Sequence, residues 1–234
     1  MKDTTRIQTL LALLDNAYPD AHIMLTFRSP WELLVAVILS AQCTDKMVNT
    51  VTPALFSTYP TIQHMASAPI QHIETLIKKT GFYKNKAKSI VESAKRITAV
   101  YGGEVPQTMK DLLTIRGVAR KTANVVLANA FGVIDGIAVD THVIRLSQRL
   151  RLVSLSAIGG KTYKYADTTH KTIDFIKDAV PEKIESELQQ LLPKEQWNTI
   201  TYQLIDHGRA VCKAIRPLCH SCILAPYCPV LRTI

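Results

Sequence analysis

Residues 112–140 read LLTIRGVARKTANVVLANAFGVIDGIAVD, and this stretch decides how the rest of the chain is interpreted. A short helix-like run over 109–115 leads into a turn at Arg116-Gly117-Val118-Ala119. A second helix is predicted from Arg120 to about Phe131, because its apolar residues recur at the spacing of one buried helix face. A glycine turn between two helices leaves the first amides of the second helix free to bind. Together with the positive end of the helix dipole, these amides form a phosphate site.

Lys121 lies in the first turn of this second helix. Its helical neighbours Val125 and Ala128 are apolar and cannot form a salt bridge with it. The helix dipole and partial burial would both oppose a positive charge here, which favours a neutral, nucleophilic amine. The alternative is a charged lysine that binds a phosphate. From the local sequence alone, the phosphate-binding interpretation is favoured.

The composition indicates a helical protein with a polyanionic partner. The 234 residues suffice for one large domain or two small ones, and 47% are hydrophobic but only 6% aromatic. The net charge of +9 favours a nucleic acid, although solubility alone could explain it. The longest apolar run, 33–39, is too short to cross a bilayer, and no signal peptide is evident. We expect a cytoplasmic monomer, associated with the nucleoid if the source is bacterial.

Four of the five cysteines lie close together near the C-terminus, at Cys212, Cys219, Cys222 and Cys228. This distribution favours a metal or cluster site in a reducing compartment over a disulfide framework. Four thiolates suit either zinc or a [4Fe–4S] cluster. The spacing contains only one short Cys-x-x-Cys pair and differs from the ferredoxin pattern, so ligand chemistry alone leaves the metal open.

Helix signals cover most of the chain, whereas strand signals are nearly absent. Ser29-Pro30-Trp31-Glu32 combines a serine cap, a proline at the first helical position and a capping-box glutamate. In the helix that follows Thr44 or Asp45, Pro53 is expected to cause a kink or a break. Other helices are predicted at about 5–18, 30–41, 69–81, 84–101, 109–115, 120–131, 141–150, 181–192 and 195–212.

The run GVARKTANVVL, followed by AVDTH, resembles the helix–hairpin–helix and catalytic segment of the endonuclease III family of DNA glycosylases. The segments SAQCTD and TGFYKNKA and the four C-terminal cysteines extend the resemblance over nearly the whole chain. It implies an all-α, two-lobed helix–hairpin–helix glycosylase fold with a C-terminal iron–sulfur cluster loop. We expect a six-helix domain over 24–134 and a discontinuous cluster domain over 1–23 and 135–234.

The resemblance also implies an activity, which is base excision repair of double-stranded DNA that contains damaged bases or abasic sites. The expected enzyme is a bifunctional glycosylase and AP lyase that removes oxidised pyrimidines and cleaves 3′ to the abasic site. By motif position, Lys121 attacks the sugar and Asp140 assists it. Asp140 directly precedes Thr141-His142, so it can also be an ordinary helix N-cap, and both roles can coexist.

Two loops of the family supply a polar and an apolar side chain that fill the gap left by the extruded nucleotide. The matching positions are Gln42 and Phe82, for which a helix-end hydrogen bond and a core aromatic are equally good alternatives. The remaining expected DNA contacts are Arg116, Gly117, Val118, Ala119, Arg120, His142, Arg145, Lys213 and Arg216.

The cysteine spacing resembles the [4Fe–4S] signature of the same family, so that cluster is the expected cofactor. Its expected role is to hold the loop that carries Lys213 and Arg216 against the DNA backbone. These two cations could equally be solvated surface charges.

Three positions and one region depart from the family pattern. Arg116 and Ala119 replace a proline and a glycine of the hairpin, and Phe82 replaces a frequent leucine. If position 119 needs a positive φ, its alanine costs on the order of 1 kcal/mol and loosens the phosphate grip. The region 154–178 is expanded and is expected to be a tolerated surface insertion rather than a mobile basic flap.

Two other functions fit part of the pattern. An adenine DNA glycosylase of the same superfamily normally lacks the lysine and carries an extra domain. A non-catalytic iron–sulfur DNA-binding protein would use the hairpin only as a phosphate clamp.

Overall fold

The computed structural model describes residues 4–167 and 172–231. The described residues form two compact units. The first unit is Ile23–Asp135, and the second combines the residues that precede it with those from Gly136 onwards. The second unit is therefore discontinuous in sequence.

Helices dominate both units. In chain order they are α1 (Thr4–Ala17), α2 (Pro30–Ser40), α3 (Asp45–Thr58), α4 (Ile62–Ala66), α5 (Ile70–Ile77), α6 (Tyr83–Val100), α7 (Met109–Leu112), α8 (Arg120–Phe131), α9 (Thr141–Arg149), α10 (Pro181–Leu191) and α11 (Trp197–Ala210). Single 3₁₀ turns occur at Lys78–Thr80, Lys194–Gln196, Cys219–Ser221 and Ala225–Tyr227. Two strands, β1 (Tyr163–Asp167) and β2 (Thr172–Ile176), lie between α9 and α10.

Helix α2 is the centre of the first unit. It packs against α3, α6 and α8, and Trp31 and residues 33–39 are all buried. Its start is as expected, because Ser29 Oγ accepts the Glu32 N–H at 3.2 Å. The Glu32 carboxylate reaches back to the Arg28 N–H at 2.7 Å, one residue earlier than in a standard capping box.

The expected break at Pro53 does not occur, because α3 continues through it from Asp45 to Thr58. Proline has a helical φ and removes one helical hydrogen bond, the one to the carbonyl of Asn49. Val48 and Leu55 are both fully buried on either side of the proline. Packing of this apolar face offsets the loss of a single bond.

The second unit has one core to which its N-terminal and C-terminal parts both contribute. Helix α1 buries one side, and α9, α10 and α11 provide the rest. The members of this core include Ile7, Leu10, Leu14, Val143, Leu146, Ile184, Leu188, Ile200 and Leu204.

The hairpin β1–β2 corrects the expectation that strands are nearly absent. The strands pair antiparallel, with Tyr163 opposite Ile176 and Lys164 opposite Phe175. The segments YKYAD and TIDFI are rich in aromatic and β-branched residues, which favour strands. Because each strand is only five residues long and carries charged residues, its pattern is weak in the sequence. The chain is otherwise the all-α protein that was expected.

Among the described residues, no helix combines the length and apolar character needed to span a membrane.

Replacing Ser29 by alanine should lower the free energy of unfolding by about 1 kcal/mol, because the Glu32 amide at the start of α2 loses its acceptor. Urea unfolding monitored by circular dichroism measures this change. Ser29→Asp is the matched control, because aspartate keeps a capping oxygen and should retain the stability of the natural chain. Equal stability of all three proteins would show that the cap contributes nothing.

Candidate functional site

The turn at residues 116–119, between helices α7 and α8 of the first unit, depends on Gly117. The Val118 N–H donates to the Ile115 carbonyl at 3.1 Å, and Gly117 has a φ of +79°. A Cβ added at Gly117 would lie 3.0 Å from Ser89 Cβ in α6. Both the left-handed backbone and this close approach to Ser89 favour glycine over residues that carry a Cβ. The turn itself therefore accounts for the glycine.

The turn is anchored on α6. Ser93 Oγ lies 2.9 Å from the Arg116 carbonyl and 2.7 Å from the Ser89 carbonyl, so its proton is shared between them. The Arg116 guanidinium lies 3.1 Å from Glu92 Oε2, and both side chains are partly exposed. Exposed pairs of this kind are weak, so Arg116 can exchange Glu92 for a phosphate.

Helix α8 begins directly after the turn. Ala119 has a φ of −95° and a ψ of 172°, which is ordinary extended backbone. The expected cost of an alanine at this position therefore does not arise. The N-cap residue Ala119 has no side-chain acceptor, so it does not cap the first amides of α8 as a serine or aspartate would.

Lys121 is the second residue of α8, and its side chain is exposed. The expected partial burial of this lysine is therefore wrong. Val118 is buried beneath the turn, whereas Arg120 is half-buried. The turn thus presents backbone amides and one exposed amine on the same short segment.

Gln42 and Phe82 occupy two strained loop positions of the same unit. Their φ values are +52° and +46°, in the left-handed region that residues other than glycine rarely adopt. Phe82 is 64% exposed, so it is not a core aromatic. The Gln42 side chain is exposed and forms no hydrogen bond with the described residues, so the helix-end alternative is not observed either. Both side chains are held outwards by a backbone that costs free energy to maintain.

Lys86 links the two segments that precede Gln42 and Phe82. It is not among the site residues predicted from the sequence. Its Nζ donates to the Leu39 carbonyl near the end of α2 and to the Thr80 carbonyl before Gly81, each at 2.8 Å. The residue is only 4% exposed, and burial lowers the pKa of the ammonium group. The burial of Lys86 could have been predicted from the sequence, because it lies four residues before Ile90 and therefore on the same buried face of α6.

Asp140 belongs to the second unit and is the N-cap of α9. Its Oδ1 accepts the His142 and Val143 amides at 2.8 and 2.9 Å. Within its own unit Oδ2 accepts no hydrogen bond from a described residue, and the side chain is half-buried. The capping interpretation is therefore confirmed, and one carboxylate oxygen is not used by the cap.

Arg145 is directed into the protein. It is 6% exposed, and its guanidinium donates to the carbonyls of Cys212 at 3.1 Å and Gly208 at 3.2 Å. It also lies 3.1 Å from His142 Nδ1, and the pKa of His142 is lowered chiefly by burial. This burial argues against the predicted DNA contact of Arg145. The side chain instead supports the backbone at the first cysteine.

The four C-terminal cysteines come together around one cavity of about 230 Å³. All four thiols are partly buried, and burial raises the pKa of Cys212, Cys219 and Cys222. No three His, Cys, Asp or Glu side chains among the described residues are arranged to hold a single metal ion. The four cysteines are thus brought together in the lining of a single cavity.

Two donors face the sulfur atoms of this cavity. Arg149 Nη1 lies 3.3 Å from Cys212 Sγ, and His207 Nε2 lies 3.5 Å from Cys222 Sγ. His207 is buried, which lowers its pKa to about 4, so the ring is neutral at neutral pH. The Tyr18 hydroxyl lies 2.9 Å from His207 Nδ1, and donation from it leaves the ring proton on Nε2, facing the sulfur. No sequence motif marks this arrangement, because Tyr18 is 189 residues from His207.

Lys213 and Arg216 lie in the loop between the first two cysteines, and both are exposed. Arg216 has a positive φ of +53°. The structure thus groups the predicted residues into three local sets: the turn 116–121, the two loops joined by Lys86, and the cysteine cavity with its cationic loop. Lys121 and Asp140 belong to different units.

The family model for the HhH-GPD superfamily base excision DNA repair protein matches residues 35–169. Endonuclease III of Synechocystis sp. is 47% identical over 224 residues, which is 96% of this chain and 92% of that protein. Two solved structures each share 37% identity and superpose with a TM-score of 0.85 over 100% of this chain. One is a non-covalent endonuclease III–DNA complex, matched over 98% of its chain. The other is a trapped endonuclease III–DNA covalent intermediate with an estranged adenine, matched over 99%.

The sequence identity and the shared fold extend over both units, and the matched family segment includes the turn, Lys121 and Asp140. This chain belongs to the endonuclease III family, within the HhH-GPD superfamily of base excision DNA repair proteins.

Proposed function

We propose that this chain is a bifunctional DNA glycosylase and AP lyase that removes oxidised pyrimidines from duplex DNA and cleaves the strand 3′ to the resulting abasic site. The observation that carries the proposal is the exposed Lys121 amine at the uncapped start of α8, directly after the Gly117 turn. A family relative with 37% identity forms a trapped covalent intermediate with DNA, and an exposed amine suits such chemistry.

In the proposed reaction, the neutral Lys121 amine forms a bond to the sugar C1′ while the bond from C1′ to the base breaks. The base leaves with the bonding electrons and takes up a proton. The C1′–O4′ bond of the sugar ring then breaks, and O4′ takes up the proton that the lysine nitrogen gives up, which leaves a Schiff base between Lys121 and C1′. This Schiff base, once protonated, accepts electrons when a proton leaves C2′, and the C3′–O bond to the phosphate then breaks. Hydrolysis of the imine returns the free lysine.

Asp140 is the proposed partner of Lys121. Because its Oδ1 is held by two amides of α9, the carboxylate has a fixed orientation. Its other oxygen can stabilise the positive charge that develops on the sugar and accept the proton that Lys121 loses. The helix cap and the catalytic role thus use different oxygens of one side chain.

The reaction requires the nucleotide to leave the duplex, since C1′ is inaccessible within it. We assign Gln42 and Phe82 to filling the gap, because both are exposed on strained loops that Lys86 joins. The amides at the start of α8, with Arg116 and Arg120, are the proposed phosphate contacts. His142 and the exposed cations Lys213 and Arg216 are further proposed contacts with the DNA backbone.

We further propose that Cys212, Cys219, Cys222 and Cys228 hold a [4Fe–4S] cluster. Four cysteines that line one cavity can supply the four thiolates of such a cluster, and their spacing resembles the [4Fe–4S] signature of the family. The donors from Arg149 and His207 would stabilise charged sulfur atoms. When bound, the cluster supplies a rigid connection between α11 and the loop that carries Lys213 and Arg216.

The two units are proposed to correspond to the two domains of the family. The protein is proposed to act on genomic DNA in the cytoplasm.

Borohydride should trap a covalent adduct between this protein and duplex DNA that contains an abasic site. Lys121→Gln should abolish the adduct, because no amine remains to form the imine, yet it should still bind the DNA. Asp140→Asn should slow cleavage by about 10²–10⁴-fold, since asparagine keeps the cap but not the charge. Gel electrophoresis of the trapped products measures both effects.

Lys95→Gln is the matched control for the trapping experiment, because Lys95 is an exposed lysine of α6 in the same unit. It should trap as the natural chain does. DNA binding without any adduct in the natural protein would instead identify a non-catalytic phosphate clamp. Release of adenine rather than oxidised pyrimidines would identify an adenine glycosylase.

Lys86→Met should lower the free energy of unfolding by about 1–3 kcal/mol, because two buried carbonyls lose their donor. It should also weaken nucleotide extrusion, which a fluorescent base analogue in the target strand reports. Lys88→Met is the control, because Lys88 is exposed in the same helix and forms only a 3.9 Å surface pair with Glu92. Equal extrusion by both variants would remove the proposed link between Lys86 and the loops.

Anaerobically purified protein should contain about four iron atoms per chain and show broad visible absorbance. Cys219→Ser should lower the iron content, because one cluster ligand is lost. Cys43→Ser should leave it unchanged, because Cys43 lies in the other unit. Metal analysis that finds zinc in place of iron would overturn the cluster assignment.

A further inference from the structure

Within the expanded region 154–178, strands β1 and β2 form hydrogen bonds to the rest of the second unit. Helix α9 and Arg151, which lies two residues after its end, hold strand β2 at several points. Gln148 Oε1 accepts the Ile176 N–H at 2.7 Å, and Gln148 Nε2 donates to the Ile176 carbonyl at 3.1 Å. Arg151 donates to the Ile173 carbonyl at 2.6 Å. The hairpin is therefore tied to the core of the second unit by buried hydrogen bonds.

Strand β2 carries a buried carboxylate, Asp174, that is 4% exposed. Its two oxygens accept Arg149 Nε at 2.6 Å and Nη2 at 2.7 Å, in a bidentate pair. Arg149 is also 4% exposed, so each charge depends on the other for compensation. The remaining nitrogen of Arg149 donates to the Lys213 carbonyl at 2.7 Å and lies 3.3 Å from Cys212 Sγ.

Strand β1 reaches the same place through Lys164. Its Nζ lies 3.5 Å from Asp174 Oδ2 and donates to the carbonyl of Ala214, two residues after the first cysteine. Lys164 and Arg149 both lie against the ring of Phe175, at 5.3 and 5.4 Å from its centroid. Lys164 and Arg149 thus connect the hairpin to the backbone that carries Cys212.

The hairpin also forms part of the wall of the cysteine cavity. Lys164, Tyr165, Ala166 and Asp174 line the cavity together with the four thiols. Residues of both strands therefore stand beside the four cysteines in the wall of one cavity.

We propose that the β1–β2 hairpin is a cover for the cluster site, with Lys164 and Asp174 as the positioning residues that hold it closed. The cover limits access of solvent reagents to the cluster and fixes the backbone of its Cys212 ligand. This inference rests on the proposed [4Fe–4S] cluster. It does not depend on the role of Lys121, because the hairpin acts through local opening over the cavity.

The test uses the cluster-containing protein and bathophenanthroline disulfonate, an iron chelator that must reach the cluster from solvent. Lys164→Met should release iron about tenfold faster, which corresponds to about 1.4 kcal/mol in the opening equilibrium. Asp174→Asn should release it faster still, since Arg149 then lacks its counter-charge. Loss of visible absorbance and appearance of the coloured iron complex give the rate.

Three comparisons make the result interpretable. Lys161→Met, at an exposed lysine just before β1, should release iron at the natural rate, and Lys164→Arg should largely restore it. Far-ultraviolet circular dichroism establishes that Lys164→Met keeps its helices, so faster release reflects opening and not unfolding. Release at the natural rate from folded Lys164→Met and Asp174→Asn would overturn the cover. Absence of iron from the natural protein would overturn the cluster proposal and the cover with it, whatever the trapping experiment shows.

Discussion

Backbone groups at helix ends need partners from outside the helix, and this constraint organises the whole protein. At α9 the partner is the Asp140 side chain, which caps two amides with one oxygen. At α8 the N-cap residue is Ala119, whose side chain cannot accept a hydrogen bond, and the start of this helix is the proposed phosphate site. The proposed acid–base group, Asp140, thus lies at the start of α9, whereas the proposed phosphate site lies at the start of α8.

Buried cations satisfy the carbonyls at the opposite helix ends. Lys86 binds carbonyls of the last turn of α2 and of the 3₁₀ turn 78–80, which precede the exposed Gln42 and Phe82 with their left-handed backbone. Arg145 and Arg149 bind the carbonyls that follow α11, where the first cysteine lies. A buried cation is costly without such partners, so each one keeps its loop in a defined position. Hydrogen bonds from buried cations thus hold the loops that are proposed to contact the DNA and the cluster.

The sequence predicted the helical framework well, because caps and apolar periodicity are local. The serine cap of α2, the turn at Gly117 and the start of α8 could all be read from neighbouring residues. The strand signal of the hairpin was missed, because its two short strands contain charged residues that become buried only against Arg149. The partial burial expected for Lys121 was also wrong. Helical periodicity shows which residues share a face of α8, but it does not show whether another part of the protein covers that face.

Sequence motifs by themselves determined the family, the candidate nucleophile and the four clustered cysteines, because each is recorded in the order and spacing of residues along the chain. Only the tertiary structure decided which charges are buried and what compensates them. Lys86 between two carbonyls, Tyr18 behind His207, and Asp174 against Arg149 are contacts between segments that lie far apart in sequence or on separate elements. Their free energies depend on burial and on partner geometry, neither of which local spacing specifies.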